Sequence, residues 1–482
     1  MLHFSRLFCP VIKIAITIKI LCSGAAYGLI PAAGNWQQSP WKLNPDRSKL
    51  DDSNQTAVAS KISHQITIKE QLKQFPAKAN LLSEVLMYVG QIKDPYFKAL
   101  PLIALAEVHS QLNQSETGSN LLREALSYTG QIENSHHKAR ALSEIAQVYG
   151  RLNEPEKGII LLQEAISITN KIDNSYTKAL FLSKISQVYG QLNEPKKSTI
   201  LLQEALATTG QIDNSNYKAR ALSVIAETVK ALNQPAIGIN LLQEAFAHIQ
   251  QITYLPDKEI ALSAIINGVE ELNQPQAAIS LLQEVVASAN RINSPFNKTL
   301  ALSAIAEAYS QLNQASTAKT FLQEALTNVN QIKSPQLKPV ALSAIAQVYG
   351  QLNQPQTGIT LLQQALISVR EIDSPQLNPL TLATIAQVYG QLNQPQTGIT
   401  LLQQASTIHN PVEIDLSSVK DNELYSQAEV LIAIAQVYGK LNQSQKSMTL
   451  LQQVLHTTKY MEESSDQSHF LGEIAKTIGK LN

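Results

Sequence analysis

The sequence predicts an all-α protein built as a solenoid of stacked two-helix units, and three observations carry that expectation. Residues 345–365 read IAQVYGQLNQPQTGITLLQQA, and residues 385–405 repeat every letter at a spacing of 40. Ten variants of the second half of this unit begin at Leu81, Leu121, Leu161, Leu201, Leu241, Leu281, Phe321, Leu361, Leu401 and Leu450. An Asn stands between the two halves at Asn113, Asn153, Asn193, Asn233, Asn273, Asn313, Asn353, Asn393 and Asn442. A fixed period in this range marks units that stack on their neighbours to bury one continuous core, so a chain of 482 residues needs no division into several globular domains.

The chain begins with Arg6, Lys13 and Lys19 and no acid in residues 1–28, an apolar stretch from Ile14 to Ala26 broken by Lys19, and the small residues Ser23, Gly24, Ala25 and Ala26. That pattern is expected of a signal peptide cleaved after about Ala25, which makes the product an exported, periplasmic or extracellular bacterial protein. The alternative is an uncleaved N-terminal segment that tethers it. A lipoprotein reading of Cys22 is poor, because Lys19, Ile20 and Leu21 are not a small-residue run. Cys9 and Cys22 are the only cysteines, so a mature chain has no disulfide framework. Residues 29–58 are rich in Pro, Asn, Gln and Ser and read as a polar linker. Trp36 and Trp41 lie within it, either folded back on the first unit or free to anchor a partner.

Residues 59–482 are expected to be the solenoid, two helices per unit. In the unit over 335–372, Ser334 is a natural N-cap, Pro335 fits the first helical position, and Leu342, Ile345, Ala346 and Tyr349 share one stripe. Asn353 then ends the helix, since Asn substitutes for Gly in the left-handed conformation. Pro355 opens the second helix, as Pro155, Pro195, Pro235, Pro275 and Pro395 do elsewhere, and its stripe includes Ile359, Leu362, Ala365 and Leu366. Small residues recur on the first helix (Ala346, Ala386) and on the second (Gly358, Gly398). A mid-helix Gly costs about 1 kcal/mol against Ala, so its recurrence requires close helix–helix contact. The first unit carries Gln65 and Lys69 in place of apolar residues, and the chain ends on a first-type helix over 471–481, so both ends read as caps.

The order Ile345, Ala346, Tyr349, Gly358, Leu362, Ala365 resembles the tetratricopeptide repeat signature, over about residues 60–482. The period is 40 and no Pro closes the unit at Arg370, so the match is to a long-repeat variant. The resemblance implies a right-handed superhelical α-solenoid of about ten helix-turn-helix repeats with a terminal capping helix. It also implies a concave face, lined by the first helices, that binds a partner.

Lys plus Arg and Asp plus Glu are balanced at 38 each, and removal of the leader leaves 35 cations against 38 anions, so no basic field points to nucleic acid. No later segment is long and apolar enough to span a membrane. No catalytic, metal or cofactor set emerges. His136 and His137 are adjacent in a connector without Cys or a spaced His, and no phosphate loop or strand-to-helix nucleophile is present. Glu124, Glu164, Glu204, Glu244, Glu284 and Glu324 form one ladder of equivalent positions, whereas acid–base catalysis needs unlike environments. A second ladder, Lys98, Lys138, Lys178, Lys218, Lys258, Lys298 and Lys338, reads as ammonium groups offered to the carbonyls that end the preceding helix. The alternative is a stripe for an anionic partner. A helical-toroid enzyme acting on glycans would need exposed aromatic platforms, yet residues 59–482 contain no Trp.

The candidate site is the lane that the resemblance places on the concave face: Ser143, Gln147, Arg151, Ser183, Gln187, Gln191, Ser343, Gln347, Gln351, Gln387 and Gln391. Side-chain amides both donate and accept, so such a lane suits an extended protein or peptide segment. Two places break the pattern. Val229 and Val269 replace Tyr while Ile266 replaces Ala, which reads as repacking of the core. The last connector is nine residues longer, and its stretch 409–427 carries Glu413, Asp415, Asp421 and Glu423 as a loop or hinge. The function expected is a non-enzymatic interaction scaffold, with a self-associating structural protein as the alternative.

Overall fold

The structure, a computed structural model, describes residues 76–481 apart from 233, 271–273, 373–377 and 409–418. The leader, the linker, Gln65, Lys69, Asn233, Asn273, Glu413 and Asp415 lie outside the described residues. The described chain is helical throughout. First helices of the units are α2 (Pro95–Gln111), α4 (Ser135–Arg151), α6 (Ser175–Gln191), α8 (Ser215–Thr228), α10 (Leu255–Glu270), α12 (Pro295–Gln311), α14 (Leu337–Gln351), α16 (Asn378–Gln391), α18 (Asp421–Lys440) and α20 (Ser464–Lys480). Second helices are α1 (Pro76–Val89), α3 (Ser115–Thr129), α5 (Pro155–Thr169), α7 (Pro195–Thr209), α9 (Pro235–Gln250), α11 (Pro275–Ala289), α13 (Ala315–Val329), α15 (Pro355–Val369), α17 (Pro395–Ile408) and α19 (Ser444–Thr458).

Local chemistry explains the boundaries. Asp94, Asn134, Asn174 and Asn214 cap first helices, each side chain accepting from a backbone N–H two or three residues on, as in Asn174 Oδ1 with Thr177 N at 2.8 Å. The expected start of α14 at Pro335 is corrected to Leu337. Pro339 has no N–H to donate to the carbonyl of residue 335, so the first turn is not closed there. His136 and His137 are likewise in the first turn of α4, not in a connector, and Asp421 and Glu423 open α18. Each described turn Asn takes positive φ, from 57° at Asn353 to 60° at Asn193. That conformation costs a non-Gly residue about 1–2 kcal/mol. It is offset by the bonds that it permits, such as Gln354 N to Tyr349 O at 2.8 Å and Asn353 N to Gly350 O at 3.1 Å.

Within a unit the second helix sinks onto the first where both carry small residues. A Cβ added at Gly358 would lie 2.8 Å from the Ala346 carbonyl, and one at Gly398 2.6 Å from that of Ala386. Where Ser198 takes the place of Gly, its hydroxyl donates to Ser186 O at 2.7 Å and Ser186 Oγ donates to Ser198 O at 2.7 Å, so the contact is kept with polar partners. Leu342, Ile345, Ala346, Leu362 and Ala365 are buried in one core that continues through the stacked units. Each fully buried Leu or Ile contributes about 1.5–3 kcal/mol.

The regular stack is interrupted at α8. There α8 gives way to a single 3₁₀ turn, Val229–Leu232, and packs chiefly on α10. Gly268 of α10 approaches the Ala226 carbonyl, with a Cβ position 3.0 Å away, as a second-helix glycine does in other units. Val229, Ile266 and Val269 are all buried at this junction, so the core is repacked.

The solenoid also closes on itself. Each first helix contacts the next from α2 to α20, and α20 then packs on α2 and α1. The terminal helix caps the array by seating on its opposite end, chiefly on α2 and with a smaller contact to α1. Lys78 Nζ donates to Leu481 O at 2.6 Å, and the Lys459 ammonium lies 5.0 Å from the centre of the Tyr88 ring. A Cβ on Gly472 would lie 3.9 Å from Ala104 Cβ, inside the roughly 3.5–4.5 Å that a disulfide needs. In a chain with Cys9 and Cys22 replaced by Ser, an Ala104→Cys, Gly472→Cys pair should therefore oxidise within one molecule and run as a compact monomer in non-reducing electrophoresis. Free thiols or cross-linked dimers would refute ring closure.

Candidate functional site

First helices touch one another around the ring while second helices pack outside them, so residues of the first helix that face away from the second line an inner wall. The three lane serines do not reach that wall. Ser143, Ser183 and Ser343 are buried, and each hydroxyl donates to the carbonyl four residues back, Ala139, Ala179 and Pro339, at 2.8 Å. The expectation that they face a partner is corrected. Phase placed them one position too close to the helix–helix core, where a back-bonded Ser is stable.

The lane amides do reach the wall, and they are interlocked. Gln147 Nε2 donates to Gln191 Oε1 at 2.9 Å, Gln351 Nε2 to Glu307 Oε1 at 2.7 Å, and Lys440 Nζ to Gln387 Oε1 at 2.8 Å. Arg151 pairs with Glu107 in the same way. Each pair joins the last turn of one first helix to the body of the preceding one, so a polar staircase links neighbouring units at four steps, α2–α4, α4–α6, α12–α14 and α16–α18. Gln347 and Gln387 are buried, and Gln347 also reaches Glu307 at 3.4 Å. Arg151, Gln191, Gln351 and Gln391 remain exposed, and Gln187 is half-buried, its Oε1 accepting from Lys184 Nζ at 3.2 Å.

Four further residues that sequence reasoning passed over add charge to the inner wall. Arg140 and Glu144 pair along α4 at 2.9 Å, and Lys184 of α6 also donates to Gln147 Oε1 at 3.2 Å. Burial would raise the Glu144 carboxyl, but Arg140, Lys476 of α20 and Lys184 together hold it down at about 2. Burial pushes the Lys184 ammonium below its ordinary value, Glu144 opposes that, and the cations Lys476, Arg140 and Arg151 add to it. With 24% of its side chain still exposed, Glu144 sits in a crowded but wet space between the two ends of the chain. The signal in the sequence was the Arg140–Glu144 spacing of four, a single helical-face pair with no repeat behind it.

The two ladders meet on the outside. Lys138, Lys178 and Lys298 pair with Glu164, Glu204 and Glu324 at 3.6, 3.7 and 3.2 Å, while Lys98 and Lys258 donate to the carbonyls of Gly90 and Gln250 that end the preceding helix. Among the described residues no cluster of three or more His, Cys, Asp or Glu is arranged to hold a metal ion, and no helix is long and apolar enough to cross a membrane.

With the signature residues buried at helix contacts and the Asn turns repeating, the fold is an α-solenoid of repeated helix-turn-helix units. No family model matches it, and no curated protein matches it. Solved structures similar to it include Ton1535 from Thermococcus onnurineus NA1, at 15% identity and a TM-score of 0.34 over 77% of this chain and 98% of that one. A putative kinesin light chain from Podosopora anserina with nearly identical TPR-like repeats is 18% identical, with a TM-score of 0.28 over 42% and 99%. A Rap protein complexed with Competence and Sporulation Factor is 12% identical, with a TM-score of 0.30 over 80% and 99%. Likenesses of this size carry no argument about activity.

Glu144 gives the wall a pH dependence with a definite sign. Its folded pKa of about 2 lies below the ordinary carboxylate value of about 4.3. The pair therefore stabilises the fold fully above pH 4.3, and the contribution is lost as pH falls toward 2. Glu144→Gln should be less stable than wild type to urea at pH 7, and the gap should narrow between pH 5 and pH 2. A gap that stays constant with pH would show that the pair contributes through packing alone.

Proposed function

We propose that the chain is a non-enzymatic interaction scaffold that holds an extended protein segment against the inner wall of its first helices. The observation that carries this is the polar staircase. An amide has two N–H donors and an oxygen with two lone pairs, so an amide bonded to its neighbour, even one like Gln147 that also accepts from Lys184, keeps further hydrogen-bonding capacity while the pairing fixes its position. Side chains already ordered in this way lose little freedom when a partner binds. The wall repeats one environment many times, which serves length and register of a segment better than the chemistry of one bond. The leader-like residues 1–28 support export as the setting of this role.

Because Gln347 and Gln387 are buried, the test belongs at the exposed Gln351 and Gln391. Gln351→Arg with Gln391→Arg should lose the proteins captured from the native extract, with unchanged thermal unfolding. Recovery of the same set by both forms would overturn the inner-wall reading.

Self-association is a second reading, favoured by Ile160 and Ile200, which occupy one position on the adjacent second helices α5 and α7 and are 65% and 62% exposed. Asn120, Asn240, Ser280, Thr320, Thr360, Thr400 and Thr449 hold that position elsewhere. If this patch joins copies, sedimentation equilibrium will give a mass that rises with concentration for wild type and not for Ile160→Thr, Ile200→Thr. A monodisperse wild-type monomer removes this reading.

A further inference from the structure

At one place on the inner wall the cations outnumber the acids. Arg140 and Glu144 of α4 are paired at 2.9 Å, and Arg151 of α4 is paired with Glu107 of α2. Lys184, half-buried on α6, is answered differently. Its ammonium donates to two neutral amide oxygens, Gln147 Oε1 and Gln187 Oε1, each at 3.2 Å, and forms no ion pair among the described residues. Packing of the repeat does not call for a cation there. At intervals of 40 residues the same position holds Ala104, Glu144, Val224, Ala264, Ala304 and Ala344.

The last helix brings a further cation to this space. The charges that act most strongly on Lys184 are Glu144 and three cations, Lys476 of α20, Arg140 and Arg151. Those acting most strongly on Glu144 are all cations, Arg140, Lys476 and Lys184. Glu473 lies one turn before Lys476 on α20, but it is not among either set. Arg140, Arg151, Lys184 and Lys476 thus stand against Glu144 and Glu107, four cations against two acids, an excess of two positive charges. Burial and the three neighbouring cations hold the Lys184 ammonium below its ordinary value. A bound anion would relieve both costs.

We infer that this cluster is a binding site for a phosphate dianion, either free phosphate or the phosphomonoester of a small molecule, held between Lys184 and Lys476 and fastening the seam of the ring. The excess of two charges matches a dianion. Its donors come from three helices, α4, α6 and α20, which suits the divergent oxygens of a tetrahedral anion better than the two coplanar oxygens of a carboxylate. Gln187 adds to them, because its Oε1 faces Lys184 while its Nε2 has no acceptor among the described residues. Lys476 joins the cluster by way of the seating of α20 on α2. Binding and ring closure are therefore linked, and an anion that prefers the assembled cluster favours the closed ring. The site goes beyond the scaffold reading and does not depend on it.

The probe is inorganic phosphate at pH 8, where it is mainly the dianion, observed by phosphorus NMR with the full chain at constant ionic strength. Wild type should broaden the signal saturably, and glycerol 3-phosphate should compete. Lys184→Gln and Lys476→Gln each remove one charged donor and should weaken binding about tenfold or more. Lys420→Gln, an exposed cation at the start of α18, should leave it unchanged. Phosphate should also slow amide hydrogen exchange in α20 of wild type and not of Lys476→Gln. Absence of saturable broadening, or broadening that persists in both Lys184→Gln and Lys476→Gln, overturns the site. Stronger competition by malonate than by glycerol 3-phosphate overturns the choice of phosphate, and binding without slowed exchange in α20 overturns the link to the seam.

Discussion

Each unit is set by how deeply its second helix can sink onto the first. At Gly358 and Gly398 there is no room for a side chain above the carbonyls of Ala346 and Ala386, and that limit fixes the distance between the helix axes. The same glycines lie against Leu392 and Leu441, which belong to the following unit, so the contact that builds one unit also seats the next. A shallow helix pair would splay the stack. The Asn turn serves this constraint, because a tight left-handed residue with its 6→1 hydrogen bond leaves the second helix no freedom in where it starts.

Repeat length, helix count, turn chemistry and the small-residue contact were legible in the sequence because each is local and is written many times. Ring closure was not. It depends on a small rotation accumulated over ten units, together with the change of packing at α8 and α10, and no residue type announces a sum of angles. The inner wall was legible in part. Gln147, Gln191, Gln351 and Gln391 were found by phase, but phase alone could not separate Gln347, buried against Glu307, from the exposed Gln351 one turn on. The serines show the same limit, since a hydroxyl that bonds its own helix looks in sequence like one that faces water.

Closure changes what the inner wall can be. In an open solenoid the first and last helices are far apart, and Glu144 would feel only Arg140 and its near neighbours. In the ring, Lys476 from the last helix joins Arg140 and Lys184 around Glu144, so the most charged part of the wall is assembled from both ends of the chain. Charge in that space and integrity of the seam are then linked. A group that binds there and prefers the assembled cluster must also favour the closed ring by the same free energy.

Repetition and specificity pull against each other in such a wall. The units of α14–α15 and α16–α17 share 21 consecutive residues, so they present nearly the same surface and cannot tell one segment from another. They give length and register. Discrimination has to come from units that break the pattern, and these lie toward the start of the ring: Arg140 and Glu144 on α4, and Lys184 on α6. A partner held along the whole wall would therefore be aligned by the later units and chosen by the earlier ones. The chain's irregularities, small in number against its repeats, are where a physical account of its specificity begins.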